Sequence, residues 1–395
     1  MRSPLSLASR WLKISHISAG LIAVLVGYTS SVAIVFQAAS AAGATTEQLN
    51  SWMWALGIGM GLTCISLSLV YRTPILTAWS TPGAALLVTS LDSLTMNEAI
   101  GVFLFSSTLI TLCGVTGWFE RIMHTVPRSL AAAMLAGILL KFGMDLFGAM
   151  QSELLLVTLM FGTFILARKF LPRYSVPLSL LVGVLCASLQ APLHLDELDW
   201  TPAQPLLMWP VFSWSALIGV GVPLFIVTMT SQNIPGLAVL RANGYQTPAS
   251  PLISWTGLTG LILAPMGGFS FNLAAITAAI CMSPDADSDA TQRYKASIWA
   301  GTFYLLTGIF GATVVGLFAA FPYELVAAIA GLALLSTLGN SLVDALQDSA
   351  GREAALVTFL TTASGMTLMG IGSAFWGLLL GSLCHVLMRI DRRGT

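Results

Sequence analysis

The feature that most constrains this chain is a series of long apolar runs joined by short connections. A spanning helix needs roughly 20 apolar residues. Twelve uninterrupted runs fall at about 14–39, 49–70, 97–119, 127–149, 152–169, 175–190, 213–240, 249–265, 295–320, 323–346, 352–367 and 371–389. Two more, near 74–91 and 267–283, are interrupted by Pro, Gly, Ser or Asn. Only 9% of the residues are charged, against about 25% in a soluble domain. The sequence therefore predicts an all-α polytopic membrane protein with 14 transmembrane segments.

The basic residues predict the orientation of these segments. If the N-terminus is cytoplasmic and every segment crosses once, all Lys and Arg residues except Lys141 fall on the cytoplasmic side. This is the distribution that the positive-inside rule describes. The first apolar run, Ile17 to Ala39, exceeds the core of about 7–15 residues in a signal peptide, so we interpret it as an uncleaved helix. We expect a multi-pass inner-membrane protein with both termini cytoplasmic.

The two halves of the chain carry matching motifs at nearly constant spacing. Pro127 with Leu130, Ala132 and Ala133 recurs as Pro322 with Leu325, Ala327 and Ala328, and Thr29-Ser30 with Gly43 recurs as Thr230-Ser231 with Gly244. Arg121 and Arg128 flank the first proline, whereas Glu324 flanks the second, so the matching motifs lie on opposite sides of the membrane. Seven crossings per half produce that inversion. The sequence therefore predicts a 7+7 inverted repeat, and inverted repeats are typical of secondary transporters.

The two interrupted segments, the third and the tenth, occupy equivalent places in the halves. Each is predicted as a short strand followed by a half-helix that begins at mid-membrane. Ser80 or Thr81 is the expected cap of the first half-helix, with Pro82 at its first position, and Asn272 is the expected cap of the second. Two helix N-termini that face each other offer partial positive charge and free N–H groups, which suit an anion without any basic side chain.

The first helix of each half carries polar residues at about the same predicted membrane depth as the starts of the half-helices. Because polar groups in hydrocarbon are costly unless satisfied, such clusters indicate a binding site, and Gln232 and Asn233 are the strongest candidates. The glycines at 57, 59, 61, 219 and 221 lie inside apolar helices, which favours close helix packing over a phosphate loop. The candidate substrate-binding residues are Tyr28, Ser80, Thr81, Gly83, Thr228, Gln232, Asn233, Ser270, Phe271 and Asn272.

Three motifs resemble the BenE family of benzoate:proton symporters: 228–236, 272–281 and 78–83. The resemblance covers essentially the whole chain and extends, more distantly, to uracil and xanthine permeases and to sulfate permeases. It implies a core domain (14–120 and 213–320) and a gate domain (125–190 and 322–389). It also implies an elevator-like movement of the core against the gate. The proline-rich and acidic connection between the halves, 191–212, is predicted as a periplasmic linker.

A departure from the nucleobase carriers bears on the substrate. Where those carriers place glutamates, this chain has Gln232 and Phe271. A fixed carboxylate would repel a carboxylate substrate, and Phe271 offers a face for an aromatic ring. With no acidic residue expected in the cavity, the proton would travel on the carboxyl group of the substrate itself, His16 being a weaker candidate carrier.

The resulting expectation is a secondary active importer of benzoate or a similar aromatic carboxylate, with proton symport. The alternatives are a nucleobase permease of the uracil or xanthine type and a passive anion channel of the sulfate-permease type. The expected partners are a small aromatic acid, protons and the lipid bilayer, with a homodimer as a further candidate. No metal-ligand cluster, nucleophile elbow or carboxylate pair indicates an enzyme, a metal site or a cofactor. The net charge of zero gives no sign of a nucleic-acid partner.

Overall fold

The fold is that of a computed structural model, which describes residues 13–118, 127–190, 200–349, 351–369 and 371–391. It is built almost entirely of helices. In chain order the elements are α1 (Ile14–Ala41), α2 (Thr46–Tyr71), β1 (Thr77–Trp79), α3 (Thr81–Ser90), α4 (Met96–Val115), α5 (Arg128–Ser152), α6 (Leu154–Phe170), α7 (Ser175–Gln190), α8 (Trp214–Ala242), α9 (Ala249–Leu263), β2 (Phe271–Leu273), α10 (Ile276–Met282), α11 (Tyr294–Ile309), α12 (Gly311–Ala319), α13 (Tyr323–Leu346), α14 (Arg352–Ala363) and α15 (Ser373–Asp391).

Within the described residues, seven helices are long and apolar enough to cross a membrane, or eight if the bent pair of α11 and α12 counts as one span. The bend between those two helices is 68°. This number leaves out the shorter apolar helices, such as α7, and the interrupted strand–helix segments. None of these is a single continuous helix long enough to cross a membrane. The protein is therefore a polytopic helical membrane protein, and the total of 14 crossings stays a prediction.

The two strands pair with each other at the centre of the fold. β1 and β2 are antiparallel, with Trp79 opposite Phe271, Ala78 opposite Asn272 and Thr77 opposite Leu273. Beyond the register, the Ser80 N–H donates to the Ser270 carbonyl (3.1 Å) and the Ala274 N–H donates to the Leu76 carbonyl (2.9 Å). Non-helical backbone inside a membrane protein must find its hydrogen bonds within the protein, and this pairing provides them.

The helices pack mostly within two groups. One group contains α1 to α4 and α8 to α11, and the other contains α5 to α7 and α13 to α15. Close contacts in the first group depend on glycine: a Cβ atom on Gly57 of α2 would lie 2.4 Å from the Cα atom of Gly308 in α11. The glycines therefore allow close helix packing, as expected from the sequence.

The repeated motifs occupy corresponding places. Pro127 directly precedes α5 and Pro322 directly precedes α13, and these two helices pack against each other. Gly43 follows α1 with a φ of 68°, and Gly244 follows α8 with a φ of 85°. Both glycines end their helices in the left-handed conformation that glycine tolerates best.

The predicted linker is partly described. Residues 191–199 lie outside the described residues, as do Arg121 and the expected positively charged chain ends at Arg2, Arg10, Arg392 and Arg393. The remainder of the linker is tied to the first group of helices, because the N–H groups of Ala203, Met208 and Val211 donate to the carbonyls of Ile309, Pro265 and Asn97.

Candidate functional site

A cavity of about 1100 Å³ lies between the two groups of helices. One wall comes from α1, α8, α11 and the two strand–helix segments, and the opposite wall comes from α5, α6, α7 and α13. Thr81 and Pro82 at the start of α3 line it, as do Ala275, Ile276 and Thr277 at the start of α10. The two half-helices therefore begin at the same cavity, which is the arrangement that the interrupted segments predicted.

The start of α3 is capped by its own chain. The Ser80 hydroxyl accepts a hydrogen bond from the Gly83 N–H (3.0 Å), and Ser80 is fully buried. The sequence predicts Pro82 at the first position of the helix. Pro82 is instead the second residue, because the helix begins at Thr81 and its cap is Ser80. A Cβ atom on Gly83 would lie 2.8 Å from the Ser80 hydroxyl, so this glycine serves the cap.

The start of α10 differs, and here the predicted cap is wrong. Asn272 lies in β2, where it pairs with Ala78, and its side-chain amide donates to the Ser270 carbonyl (2.9 Å). The helix begins only at Ile276, its N-cap is Ala275, and no side chain caps it. The first N–H groups of a helix have no partner within the helix. Those of α10 therefore remain available to a ligand in the cavity.

The polar cluster of α8 coincides with a local change of helix type. Met229–Asn233 forms a turn of π-helix, a feature that often occurs at functional sites. Gln232 lines the cavity together with Thr230 and Ser231. Thr228 is buried and is not part of the cavity wall.

Asn233, the other strong candidate, is buried and has a different role. Its side-chain oxygen accepts a hydrogen bond from the Leu273 N–H (3.0 Å), which ties the π turn to β2. Asn233 does not line the described part of the cavity wall. We conclude that Asn233 supports the strand pair and Gln232 faces the cavity.

The expected role of Phe271 in stacking on a substrate ring is also wrong. Phe271 is 1% exposed and is absent from the described cavity wall, because its ring packs against α2, where a Cβ atom on Gly59 would lie 2.4 Å from it. Ser270 is likewise buried, and its φ of 45° places it in the left-handed region just before β2. Both residues are buried parts of the turn into the strand and do not line the described cavity wall.

The aromatic surface of the cavity comes from other residues. Trp79 and Tyr304 line it. Tyr28 packs against both rings, and its ring centroid lies 4.9 Å from that of Trp79 and 6.0 Å from that of Tyr304. The Trp79 indole N–H donates to the Ser31 hydroxyl (2.8 Å), which orients its ring. Gly27 leaves room beside the Tyr304 hydroxyl, since a Cβ atom there would lie 3.1 Å from it.

The sequence comparisons address which family has this arrangement. The family model BenE, benzoate membrane transport protein, matches residues 11–387. The inner membrane protein YdcO of Escherichia coli K12 is 50% identical over 372 residues, which are 94% of this chain and 95% of YdcO. The benzoate membrane transport protein of Acinetobacter baylyi is 41% identical over 370 residues, 94% of each chain. This chain belongs to the BenE family. Its relatives are membrane transport proteins and not enzymes.

Two solved structures share the fold of this BenE-family protein. SLC26A9 matches with a TM-score of 0.65 at 13% identity, over 96% of this chain and 65% of that one, so this chain spans less than two thirds of its length. The transmembrane domain of the cyanobacterial bicarbonate transporter BicA matches with a TM-score of 0.60 at 12% identity, over 95% and 96% of the two chains. Identities this low show the fold alone.

Sequence reasoning missed the charged residues of the cavity in this BenE-family protein. It expected no acidic residue there, yet Asp344 of α13 lines the wall, and Arg128 and Arg168 line it too. Asp344 follows Ser336, Thr337, Asn340 and Ser341 at helical spacing, so a polar stripe on α13 was the available signal. Tyr304 carried no such signal, because a single tyrosine in an apolar helix is consistent with packing.

His16, the weaker candidate for carrying a proton, is buried outside the described cavity wall, in a cluster with the buried Asp287 and the half-exposed Lys13. Its Nε2 lies 2.8 Å from the Asp287 carboxylate, which also accepts from Lys13 Nζ at 2.8 Å. Burial alone would raise the pKa of Asp287, but hydrogen bonds from Lys13, the Asp289 N–H and His16 lower it from 3.8 to about 2. The cluster joins the start of α1 to the loop between α10 and α11.

Proposed function

We propose that this BenE-family protein imports benzoate or a similar aromatic carboxylate across the inner membrane by proton symport. The observation that carries the proposal is a single cavity lined by the uncapped start of α10 and by Gln232, Trp79 and Tyr304. Helix N–H groups suit a carboxylate, and the aromatic side chains suit a flat apolar ring. The name of the Acinetobacter baylyi relative supports the choice of benzoate.

Gln232 supports an acid rather than a nucleobase as substrate. A neutral amide can donate its N–H groups to a carboxylate, whereas a glutamate at this place would repel one by roughly 4 kcal/mol for charges 4 Å apart at an effective dielectric of 20. The one acidic residue of the described cavity wall, Asp344, lies near the far end of α13. Of the ten candidate residues, we propose Gln232 and Thr81 as direct contacts.

The remaining candidates are proposed to act from behind the cavity wall. Ser80 and Gly83 form the cap of α3, while Asn233, Ser270 and Asn272 hold the strand pair. Tyr28 supports the rings of Trp79 and Tyr304. This division follows the hydrogen bonds and ring contacts described above.

The mechanism that we propose is an elevator-like movement. The helix group α1–α4 with α8–α11 would be the mobile core, and α5–α7 with α13–α15 the gate. The cavity between these groups reaches the helix ends that carry Arg128, Arg168 and Gln347. By the positive-inside rule this face is cytoplasmic, so we interpret the conformation as open toward the cytoplasm. The 7+7 inverted repeat, 14 crossings, cytoplasmic termini and a homodimer belong to the same proposal.

Uptake into proteoliposomes tests the proposal. The purified protein should accumulate radiolabelled benzoate when the outside is more acidic than the lumen, and a proton ionophore should abolish the accumulation. Unlabelled uracil in excess should not compete, whereas substituted benzoates should. Benzoate movement that follows only its own gradient, without a response to the pH gradient, would instead support the passive anion channel. Competition by uracil would support the nucleobase permease.

A further inference from the structure

One face of α13 is polar along half of its length. Starting near the middle of the helix, the side chains of this face recur every three or four residues, and all line the cavity: Ser336, Thr337, Asn340, Ser341, Asp344 and Gln347. Residues at this spacing share one side of a helix. Such groups are costly in an apolar environment, so the stripe indicates a water-filled path from the centre of the protein to the mouth of the cavity.

Arg168 faces this stripe from the last turn of α6. Its guanidinium donates a hydrogen bond to the Ser336 hydroxyl and lies over the Phe164 ring, 5.6 Å from the centroid. Phe164 belongs to the same cavity wall and is only 1% exposed, so its ring is held in place by the packing around it and restricts the position of the guanidinium. A hydroxyl on one side and an aromatic face on the other orient the planar group within the cavity.

A second guanidinium lines the same mouth. Arg128 is the first residue of α5, and it is exposed within the cavity wall. Among the described residues, neither Arg128 nor Arg168 forms an ion pair with an acidic side chain, and the Asp344 carboxylate of this wall is bonded to neither. The mouth therefore carries two guanidinium groups whose charge is free to attract an anion.

The positive-inside rule explains on which side these arginines lie but not their place in the cavity. Lys169 is the neighbour of Arg168 in the same helix turn and obeys the same rule. It lies over the ring of Phe170, which is 70% exposed, and it does not line the cavity. Lys169 is thus a matched control for charge and depth without access to the cavity.

We propose that Arg168, held by Ser336 and joined by Arg128, forms a second carboxylate-binding subsite at the mouth of the cavity. This inference rests on the proposed function and adds a second binding position for the substrate between the half-helix site and the cytoplasm. A guanidinium binds a carboxylate through two parallel hydrogen bonds, which an ammonium group cannot reproduce. The substrate anion occupies this subsite before it enters, or after it leaves, the site at α10.

The test measures benzoate transport from each face of oriented vesicles without a pH gradient. For Arg168→Gln, the KM measured from the Arg168 face rises about tenfold, the loss expected for a charge-assisted bond, and the KM from the opposite face changes less than about twofold. Because Vmax/KM must be equal in the two directions when no gradient drives transport, the ratio of Vmax from the Arg168 face to Vmax from the opposite face rises by the same factor as the ratio of the two KM values. Arg168→Lys gives a smaller shift, and Lys169→Gln gives none.

A merely structural role of Arg168 would alter both faces alike, or would lower Vmax without the one-sided change in KM. Either result overturns the subsite, and so does an equal effect of Lys169→Gln. Arg168→Lys retains the positive charge at this helix end, so its shift in KM can be measured even if Arg168→Gln does not fold. Wild-type protein that moves benzoate from neither face would overturn the proposed function and the subsite together, whereas the other outcomes concern the subsite alone.

Discussion

Both strand–helix segments place a short strand before a half-helix, yet they end differently at the cavity. The segment β1–α3 closes its helix with its own Ser80 hydroxyl and places Pro82, which has no N–H, in the first turn. The segment β2–α10 has Ala275 at the equivalent place and no side-chain cap. At the first helix start the Gly83 N–H has a side-chain partner and Pro82 has no N–H, while at the second no side chain caps the N–H groups that a ligand could meet. The difference supports our proposal that the carboxylate of the substrate binds at α10.

The largest effect is expected from a charge at the open helix start. In Ala275→Asp the new carboxylate would cap α10 itself and repel a carboxylate substrate, so benzoate uptake at pH 7 should fall by about a hundredfold or more. Ala275→Asn caps the helix without the charge and should cost much less. Wild-type uptake by the aspartate variant would show that the anion does not bind at α10.

The corresponding change at the closed helix start sharpens the comparison. Thr81 lines the cavity at the first position of α3, so Thr81→Asp introduces the same charge across the site. Its effect on uptake should be about tenfold, since the charge lies farther from the proposed carboxylate. A larger loss for Thr81→Asp than for Ala275→Asp would reverse our assignment of the two ends.

The segments also differ in how the chain leaves them. After α10, the buried Asp287 pairs with Lys13 and His16, whereas after α3 an exposed capping box of Thr95 and Glu98 starts α4. Because the pKa of Asp287 falls from 3.8 to about 2 on folding, its contribution to stability is present above pH 4 and is lost as the pH falls through about 2. Asp287→Asn should cost about 2 kcal/mol at pH 7.

Thermal unfolding of the purified variants checks this difference. Asp287→Asn should lower Tm clearly at pH 7, and the gap to wild type should narrow as the pH approaches 2. Glu98→Gln, an exposed partner in a capping box, should change stability by about 0.5 kcal/mol or less. Equal effects of the two substitutions would mean that both segments are anchored alike.

Gln232 tests whether α8 contributes to the same anion site as α10. Gln232→Glu should raise the Kd for benzoate about tenfold at pH 7 because of charge repulsion. Binding should recover as the pH falls toward the ordinary glutamate pKa of about 4.3. The measurement is benzoate binding to purified protein between pH 7 and about 4.3. An unchanged affinity at pH 7 in folded protein would remove Gln232 from the site.

The smallest effect concerns the cap of the closed segment. Ser80→Ala removes the acceptor of the Gly83 N–H and should cost about 1 kcal/mol of stability. Transport should stay within about threefold of wild type, since the freed N–H lies on α3 and we propose that the carboxylate binds at α10. A loss of transport as large as that of Ala275→Asp would make the two half-helices equal partners in anion binding.

Much of the architecture could be predicted because it depends on local composition. Apolar runs predicted the helices, and the Pro and Gly residues near 74–91 and 267–283 predicted the two broken segments. The predicted site was less accurate. Asn272 looks like a cap from its neighbours, but its backbone pairs with Ala78 of a strand nearly two hundred residues away. From the sequence alone, Phe271 looks like a ligand-binding ring. In the structure its ring packs into the space left by Gly59 of α2, which the local sequence does not reveal.

By itself the sequence determined that this chain is a helical membrane protein of the BenE family, with two interrupted segments at matched places. Hydrophobicity and helix breaking act over a few residues and are readable in order. Only the tertiary structure decided which polar and aromatic groups face the cavity: Gln232 and not Asn233, Tyr304 and not Phe271, Arg168 and not Lys169. The exposure of a side chain depends on the helices that cover it, and those come from distant parts of the chain.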